Sequence, residues 1–236
     1  MRTERPENDL PLAIVAALEG ELRPLVARAY RVESPGPEPR WRLPEGPMLV
    51  CTGVGKVAAA AATARLLAEG VRGILMVGTG GGIGHGLTPG DMICAEGWAQ
   101  WDLGVRMGRE GACHGPWVQA WAQSAGARRG LILSGDRGVF DPWSRRKLRR
   151  AWPEALLVDM EVAAVGAVCA AAGIPFAALK TVSDLAGVGA KKRFAQEFAE
   201  TGGRAAASLL VWNDASSKDS WRRAFPIPDV PGPISG

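Results

Sequence analysis

Four carboxylates stand just past short apolar runs: Glu21 after "LAIVAAL", Asp136 after "RGLILSGD", Glu161 after "ALLVDM" and Asp184 after "FAALKTVSD". In an open α/β sheet, the carboxyl ends of the strands form the edge where ligands bind. A single acid there is often a helix cap, and capping accounts for Asp159 or Asp184 taken alone. Four acids from four separate runs ask for more. Carboxylates gathered at a partly dry rim differ in proton affinity, so one can serve as acid while another stays ionised as base. That division of labour suits cleavage through a cationic transition state.

The glycine-rich stretch "MVGTGGGIGHGLTPGD" (76–91) is the second place where chemistry is plausible. It fails the dinucleotide spacing G-x-G-x-x-G, because Ile83 or His85 falls where the third glycine must stand. "GVGK" at 53–56 is not a triphosphate loop either, since Val50 takes the place of its first glycine. What remains is a strand closing at Gly78, followed by Thr79, Gly80, Gly81 and Gly82, whose amides could surround an anion or a sugar. A tight crossover without room for side chains explains the glycines equally well. The only histidines are His85 and His114, and G-x-S-x-G is missing, so a serine triad has little support. There is no compact metal-ligand motif.

Positioning these residues takes strands that alternate with helices. Apolar runs predict strands at 11–18, 47–52, 73–78, 90–96, 130–134, 155–159 and 175–182. Helical patterns fill 19–30, 55–69, 117–126, 142–151, 160–172 and 190–213. The alternation is that of an α/β fold. The reading is one domain over 10–213 and a Pro/Gly-rich tail over 214–236, whose prolines and glycines oppose helix and sheet. Two fates are open for the tail: disorder, or packing through Trp221 and Phe225 against its own or a neighbouring subunit.

Composition narrows the function classes. The chain has 236 residues, 47% hydrophobic and 22% charged, which is ordinary for one large globular domain. Its formal charge of +4 is mild, and "RRKLRR" (145–150) reads as a solvated helix face without any nucleic-acid-binding motif. Four scattered cysteines without a CxxC pair argue against structural zinc and fit a reducing cytoplasm. No apolar run is long enough to span a bilayer, and the polar, acid-bearing start "MRTERPENDLP" is neither a secretory signal nor a transit peptide.

With those residues on the page, the sequence resembles the nucleoside phosphorylase superfamily, and most closely its methylthioadenosine/S-adenosylhomocysteine nucleosidase branch. The resemblance spans about residues 12–212 and rests on "AALEGELRPL", "GVGKVAAA", "VGTGGGI" with "PGD", "GLILSGD", "VDMEVAAV" and "PFAALKTVSD", in that order. It implies a single-domain α/β fold with a mixed central β-sheet flanked by helices. It also implies no cofactor and no metal, a small-molecule nucleoside as partner, and a homodimer or larger homo-oligomer, for which the nine tryptophans could supply interface anchors.

The resemblance further implies roles. Glu21 matches the base that activates water, and Asp184 the acid that protonates N7 of the purine, with Ser183 beside it. Glu161, flanked by Met160, matches the group that holds the ribose hydroxyls. Thr79, Gly80 and Gly81 match the loop beside the attacking nucleophile, and Val139 a backbone reader of the adenine edge. The implied reaction is hydrolysis of the ribose–adenine bond of a 5′-modified adenosine such as methylthioadenosine or S-adenosylhomocysteine. Phosphate is disfavoured, since Glu19 and Glu21 stand in the first loop and Met76 where a phosphate-binding arginine would be. The alternatives are a nucleosidase for a bulkier, hopanoid-type adenosyl compound, a purine nucleoside phosphorylase, and a nucleoside-binding protein without catalysis.

Three departures from the family pattern bear on specificity. Gly138 stands where the family's stacking aromatic belongs, which should weaken or reshape base binding unless Phe140, two residues on, substitutes. The wall between Asp102 and Arg129 is shortened. Lys180 replaces an arginine.

Overall fold

The computed structural model describes residues 10–103, 110–185, 198, 201–213 and 218–228. The first half runs β1 (Leu12–Ala16), α1 (Glu19–Val26), β2 (Tyr30–Val32), β3 (Arg40–Arg42), β4 (Met48–Cys51), α2 (Lys56–Ala68), β5 (Gly73–Gly82) and β6 (Met92–Gln100). The second runs β7 (Glu110–Ala112), α3 (Gly115–Ala125), β8 (Arg128–Ser134), α4 (Pro142–Ala151), β9 (Ala155–Asp159), α5 (Val162–Ala171) and β10 (Phe176–Asp184). Arg204–Ala207, a 3-10 helix at Ser208–Trp212 and the helix Lys218–Ala224 follow.

The sheet is mixed, as expected, and part of it closes on itself. β5 pairs in parallel with β10, β10 antiparallel with β6, β6 in parallel with β8, and β8 in parallel with β9. β9 then returns antiparallel to Gly81 and Gly82 of β5, completing a ring of five strands. Outside the ring, β1 pairs with β5 and with β4, and β4, β3 and β2 continue as an antiparallel extension.

The period-two pattern of the strands separates the core into two faces. Leu12 and Ile14 join Leu75, Val77, Leu179 and the tryptophans of α3 on one side. Ala13 and Val15 join Ile74, Met76, Ala178 and the small residues of α2 and α5 on the other. The alanines of "KVAAAAATARLLA" let α2 lie close to α5. Asp141 caps α4 by accepting from the Ser144 amide at 2.7 Å, with Pro142 in the first turn, and the helix covers 142–151 as its sequence predicts.

Several expectations need correction. The strand expected to close at Gly78 runs on to Gly82, so the glycine stretch is a paired strand for half its length. Backbone pairing to β10 and β9 supplies the order that side chains do not. The helix expected at 19–30 stops at Val26, and the chain turns into β2. Of the helix expected at 190–213, positions 190–197, 199 and 200 lie outside the described residues. Of the remainder, Phe198 and Thr201 are helical as expected, and after a turn at Gly202 and Gly203 the chain continues as the short pieces Arg204–Ala207 and Ser208–Trp212.

The segment expected to oppose helix holds the helix Lys218–Ala224. Its prolines and glycines begin only at Pro226, and "KDSWRRA" contains neither. Trp221 and Phe225 are buried in the chain's own core, so packing, not disorder, is their fate. Trp117 and Trp121 meet Phe225 edge-on, with ring centroids 5.6 and 6.0 Å apart. The Trp117 indole donates to the Pro226 carbonyl at 2.9 Å. Trp41, Trp98, Trp117, Trp121 and Trp221 are therefore core residues and unavailable as interface anchors, whereas Trp143 is exposed. Among the described residues no helix is long and apolar enough to cross a membrane.

Candidate active site

The carboxyl ends of β1, β5, β9 and β10 open into a cavity of about 240 Å³. All ten residues singled out from the sequence line it: Glu21, Thr79, Gly80, Gly81, Val139, Phe140, Met160, Glu161, Ser183 and Asp184. Asp136 does not. Its side chain is exposed and turns to Lys56 at 3.3 Å, leaving three of the four acids to share the site.

Glu21 is the third residue of α1 and is buried. One carboxylate oxygen accepts from the Thr79 amide at 2.8 Å and the Thr79 hydroxyl at 2.9 Å; the other accepts from the Leu18 amide at 3.1 Å. These bonds tie the helix start to β5 and fix the carboxylate at the cavity wall. Gly78 makes the approach possible, since a Cβ there would lie 2.8 Å from Lys180 Nζ and 3.0 Å from Glu21 Oε1. Gly80 is required for a different reason: a Cβ would press on the Leu157 side chain and sit 2.7 Å from the Val158 carbonyl oxygen. The glycine stretch is thus both a close strand packing and a cavity wall.

Asp159 and Glu161 divide their work. Asp159 accepts from Ser134 Oγ at 2.5 Å and from the Val162 amide at 3.1 Å, which caps α5. Lys180, fully buried, lies 3.1 Å from Asp159 and 3.7 Å from Glu161. Glu161 also accepts from the Gly55 amide at 2.8 Å, at the entry to α2. Burial pushes the Glu161 carboxyl up to about 7, offset in part by the Lys180 charge and reinforced by Asp159. For Lys180, burial alone would favour the neutral amine, but Asp159, Glu161 and Glu21 outweigh it and hold the ammonium. Its charge is committed mainly to the nearer Asp159, which leaves Glu161 governed by desolvation.

Asp184, the last residue of β10, lies 2.8 Å from Ser183 Oγ, which is also 3.1 Å from the Gly80 carbonyl oxygen. A hydroxyl has one proton. It can go to the Asp184 carboxylate or to the Gly80 carbonyl, and either way Ser183 ties the end of β10 to β5 beside the cavity.

Phe140 is half-exposed at the mouth, and its ring occupies the space into which a side chain at Gly138 would grow. The aromatic surface expected at 138 is thus delivered from 140. Leu18, Val54 and Arg137 also line the cavity and were not singled out from the sequence. Their signal is only adjacency to "EGELR", "GVGK" and "SGD". Among the described residues no group of acids, histidines and cysteines could hold a metal ion.

The sequence pattern of the phosphorylase superfamily matches residues 11–211. A methylthioadenosine/S-adenosylhomocysteine nucleosidase from Aeromonas salmonicida is 31% identical over 183 residues, covering 70% of this chain and 79% of its own. The crystal structure of the corresponding nucleosidase from Neisseria meningitidis, in complex with methylthio-immucillin-A, superposes with a TM-score of 0.77. It is 29% identical and covers 84% of this chain and 96% of its own. An S-adenosylhomocysteine nucleosidase from Streptococcus pyogenes, in complex with 5-methylthiotubericidin, gives 0.79 at 27% identity, covering 84% and 94%. With its closed strand ring and its three acids at one cavity, this chain belongs to the phosphorylase superfamily and is similar within it to the methylthioadenosine/S-adenosylhomocysteine nucleosidases.

Proposed function

We propose that the chain hydrolyses the N-glycosidic bond between ribose and adenine in 5′-modified adenosines such as methylthioadenosine or S-adenosylhomocysteine. The observation that carries the reading is the convergence of Glu21, Glu161 and Asp184, from three separate elements, on one cavity with largely apolar walls. Glu161 accepts the 2′ and 3′ hydroxyls of the ribose. Glu21, held by Thr79, takes a proton from the water that attacks C1′. As the C1′–N9 bond breaks, its electron pair passes into the purine, and Asp184 gives its proton to N7, so that adenine leaves neutral. The products are adenine and the 5′-modified ribose.

Each acid–base contribution of this kind is worth roughly 10²–10⁴ in rate. The carboxylates lie where positive charge develops on the sugar and supply electrostatic support beyond that. Phe140 stacks on the adenine, and the Val139 backbone reads its edge. Met76 is buried in the core, so no arginine reaches the cavity from that strand position, which supports water over phosphate as nucleophile.

Leu18, Val54, Met160 and Phe140 give the cavity mouth an apolar rim, which favours a second reading in which a bulkier apolar 5′ group is also accepted. Exposed Val54, Val57 and Phe140 suit a second copy of the chain as the surface that closes this mouth, in a homodimer. The test is adenine release from methylthioadenosine, S-adenosylhomocysteine, adenosine and inosine, with and without phosphate. Phosphate-independent release from the 5′-thio substrates is expected. Release only with phosphate would make the chain a phosphorylase, and tight binding without turnover a binding protein.

A further inference from the structure

Beside the cavity, α4 and the turn after β5 enclose a second recess, of about 490 Å³, walled by Gly84, His85, Arg145, Arg146, Arg149 and Arg150. No acid lines it. α4 reads "PWSRRKLRRA", with five cations and no carboxylate. Arg145 with Arg149, and Arg146 with Arg150, are like charges four residues apart, a spacing that destabilises a helix. Among the described residues none of these arginines has a carboxylate within ion-pair distance. An ordinary solvated helix face relieves such repulsion with interspersed acids.

The recess is also built from more than one element. Arg149 places a guanidinium nitrogen 2.7 Å from His85 Nδ1, and Arg128 donates to the His85 carbonyl at 3.1 Å, which fixes the opposite wall. The Nε of Arg145 is buried without a hydrogen-bond partner among the described residues. Burial, and then the charge of Arg149, weaken the hold of Arg145 on its proton, with Asp184 acting the other way. Arg145 therefore lies within electrostatic reach of Asp184 at the neighbouring cavity.

We propose that this recess is a phosphate-group binding site, in which the guanidinium forks of Arg145, Arg146, Arg149 and Arg150 take a phosphorylated anion. Planar guanidinium groups match phosphate oxygens two at a time, and such charge-assisted bonds are the strong ones. The bound anion supplies the counter-charge that the helix lacks. Two sources share this chemistry, a free phosphoanion and a phospholipid headgroup.

The test is calorimetric titration of the full chain with pyrophosphate, with co-sedimentation on phosphatidylglycerol or phosphatidylcholine vesicles as a second arm. Each is repeated on the variant Arg149→Gln/Arg150→Gln. Saturable pyrophosphate binding, weakened about ten-fold or more in the variant, is the expected result. Binding to phosphatidylglycerol vesicles alone, lost in the variant, assigns the site to a headgroup. Affinity unchanged in the variant places the anion elsewhere and overturns the proposal, as does the absence of both binding modes. The variant also removes both i,i+4 repulsions, so its thermal midpoint should equal or exceed that of the parent chain. Arg146→Gln provides an independent single substitution at an exposed position. None of these readouts depends on catalysis, so the nucleosidase reading can fail without affecting them.

Discussion

Two charge clusters, one partly and one almost wholly buried, sit on opposite flanks of β1, and they are composed differently. Beneath β3, Arg40 binds Glu69 through two contacts of 2.5 and 3.1 Å and lies 3.8 Å from Glu38, which Arg65 also meets. That is two cations against two anions. Under the cavity, one cation, Lys180, serves Asp159, Glu161 and, at longer range, Glu21. Burying an ion is expensive unless its partners compensate, and a balanced network does so within itself. The unbalanced one leaves a carboxyl, Glu161, without full compensation, and that group faces the cavity. Matched charge locks an edge of the sheet, while mismatched charge remains available to a ligand.

The widest gap between the clusters should appear in rate. Asp184→Asn and Glu21→Gln should each slow adenine release by about 10²–10⁴-fold with little change in thermal midpoint. Glu38→Gln should leave the rate per folded molecule unchanged. Full activity in Asp184→Asn would refute its assignment as the acid.

Next comes stability. Lys180→Met strands three acids and should cost about 3–5 kcal/mol in denaturant unfolding. Arg40→Met should cost less, because Arg65 remains beside Glu38 and Glu69 is partly solvated. Equal losses would erase the distinction.

A pH profile sharpens it further. Glu161 must ionise to grip the ribose, so kcat/KM should rise through an acid limb near pH 7, and Glu161→Gln should lack that limb. The folded state holds this proton more tightly than the unfolded chain does. The Glu161 contribution to stability is therefore present below about 4.5 and lost as pH rises through about 7, which thermal midpoints across that range would register. The smallest effect belongs to Phe140→Ala. Loss of a stacking surface worth about 1 kcal/mol should raise KM several-fold and leave kcat nearly unchanged.

What could be read from the sequence was the part carried by local pattern. Acids at the ends of apolar runs, glycines before "PGD" and the alanine-rich helix all announce themselves within a dozen or so positions. Together with the family resemblance, they brought ten of the cavity-lining residues into view but not Leu18, Val54 or Arg137. Tertiary choices were not visible in this way. "RGLILSGD" gives no sign that Asp136 turns toward Lys56, because that partner lies 80 positions away. The pairing of Gly81 and Gly82 with β9 is a property of the closed ring, and no local signal distinguishes a paired glycine strand from a loop. Lys180 stood out only as a departure from a family arginine. Its role as a buried cation shared by Asp159, Glu161 and Glu21 emerges when β9, β10 and α1 meet.

The aromatic cover made by Trp221 and Phe225 has a consequence for biosynthesis. It rests on Trp117 and Trp121 and shares its cluster with Leu12 and Ile14, more than 200 positions earlier in translation. The ribosome adds roughly 5–20 residues per second and delivers the amino end first, so β1 waits through most of elongation for its final neighbours. During that interval the nascent polypeptide presents an apolar sheet face to the surrounding medium, a state prone to aggregation and to capture by chaperones. Soluble yield in a cell will therefore depend heavily on residues 218–228, far from the chemistry.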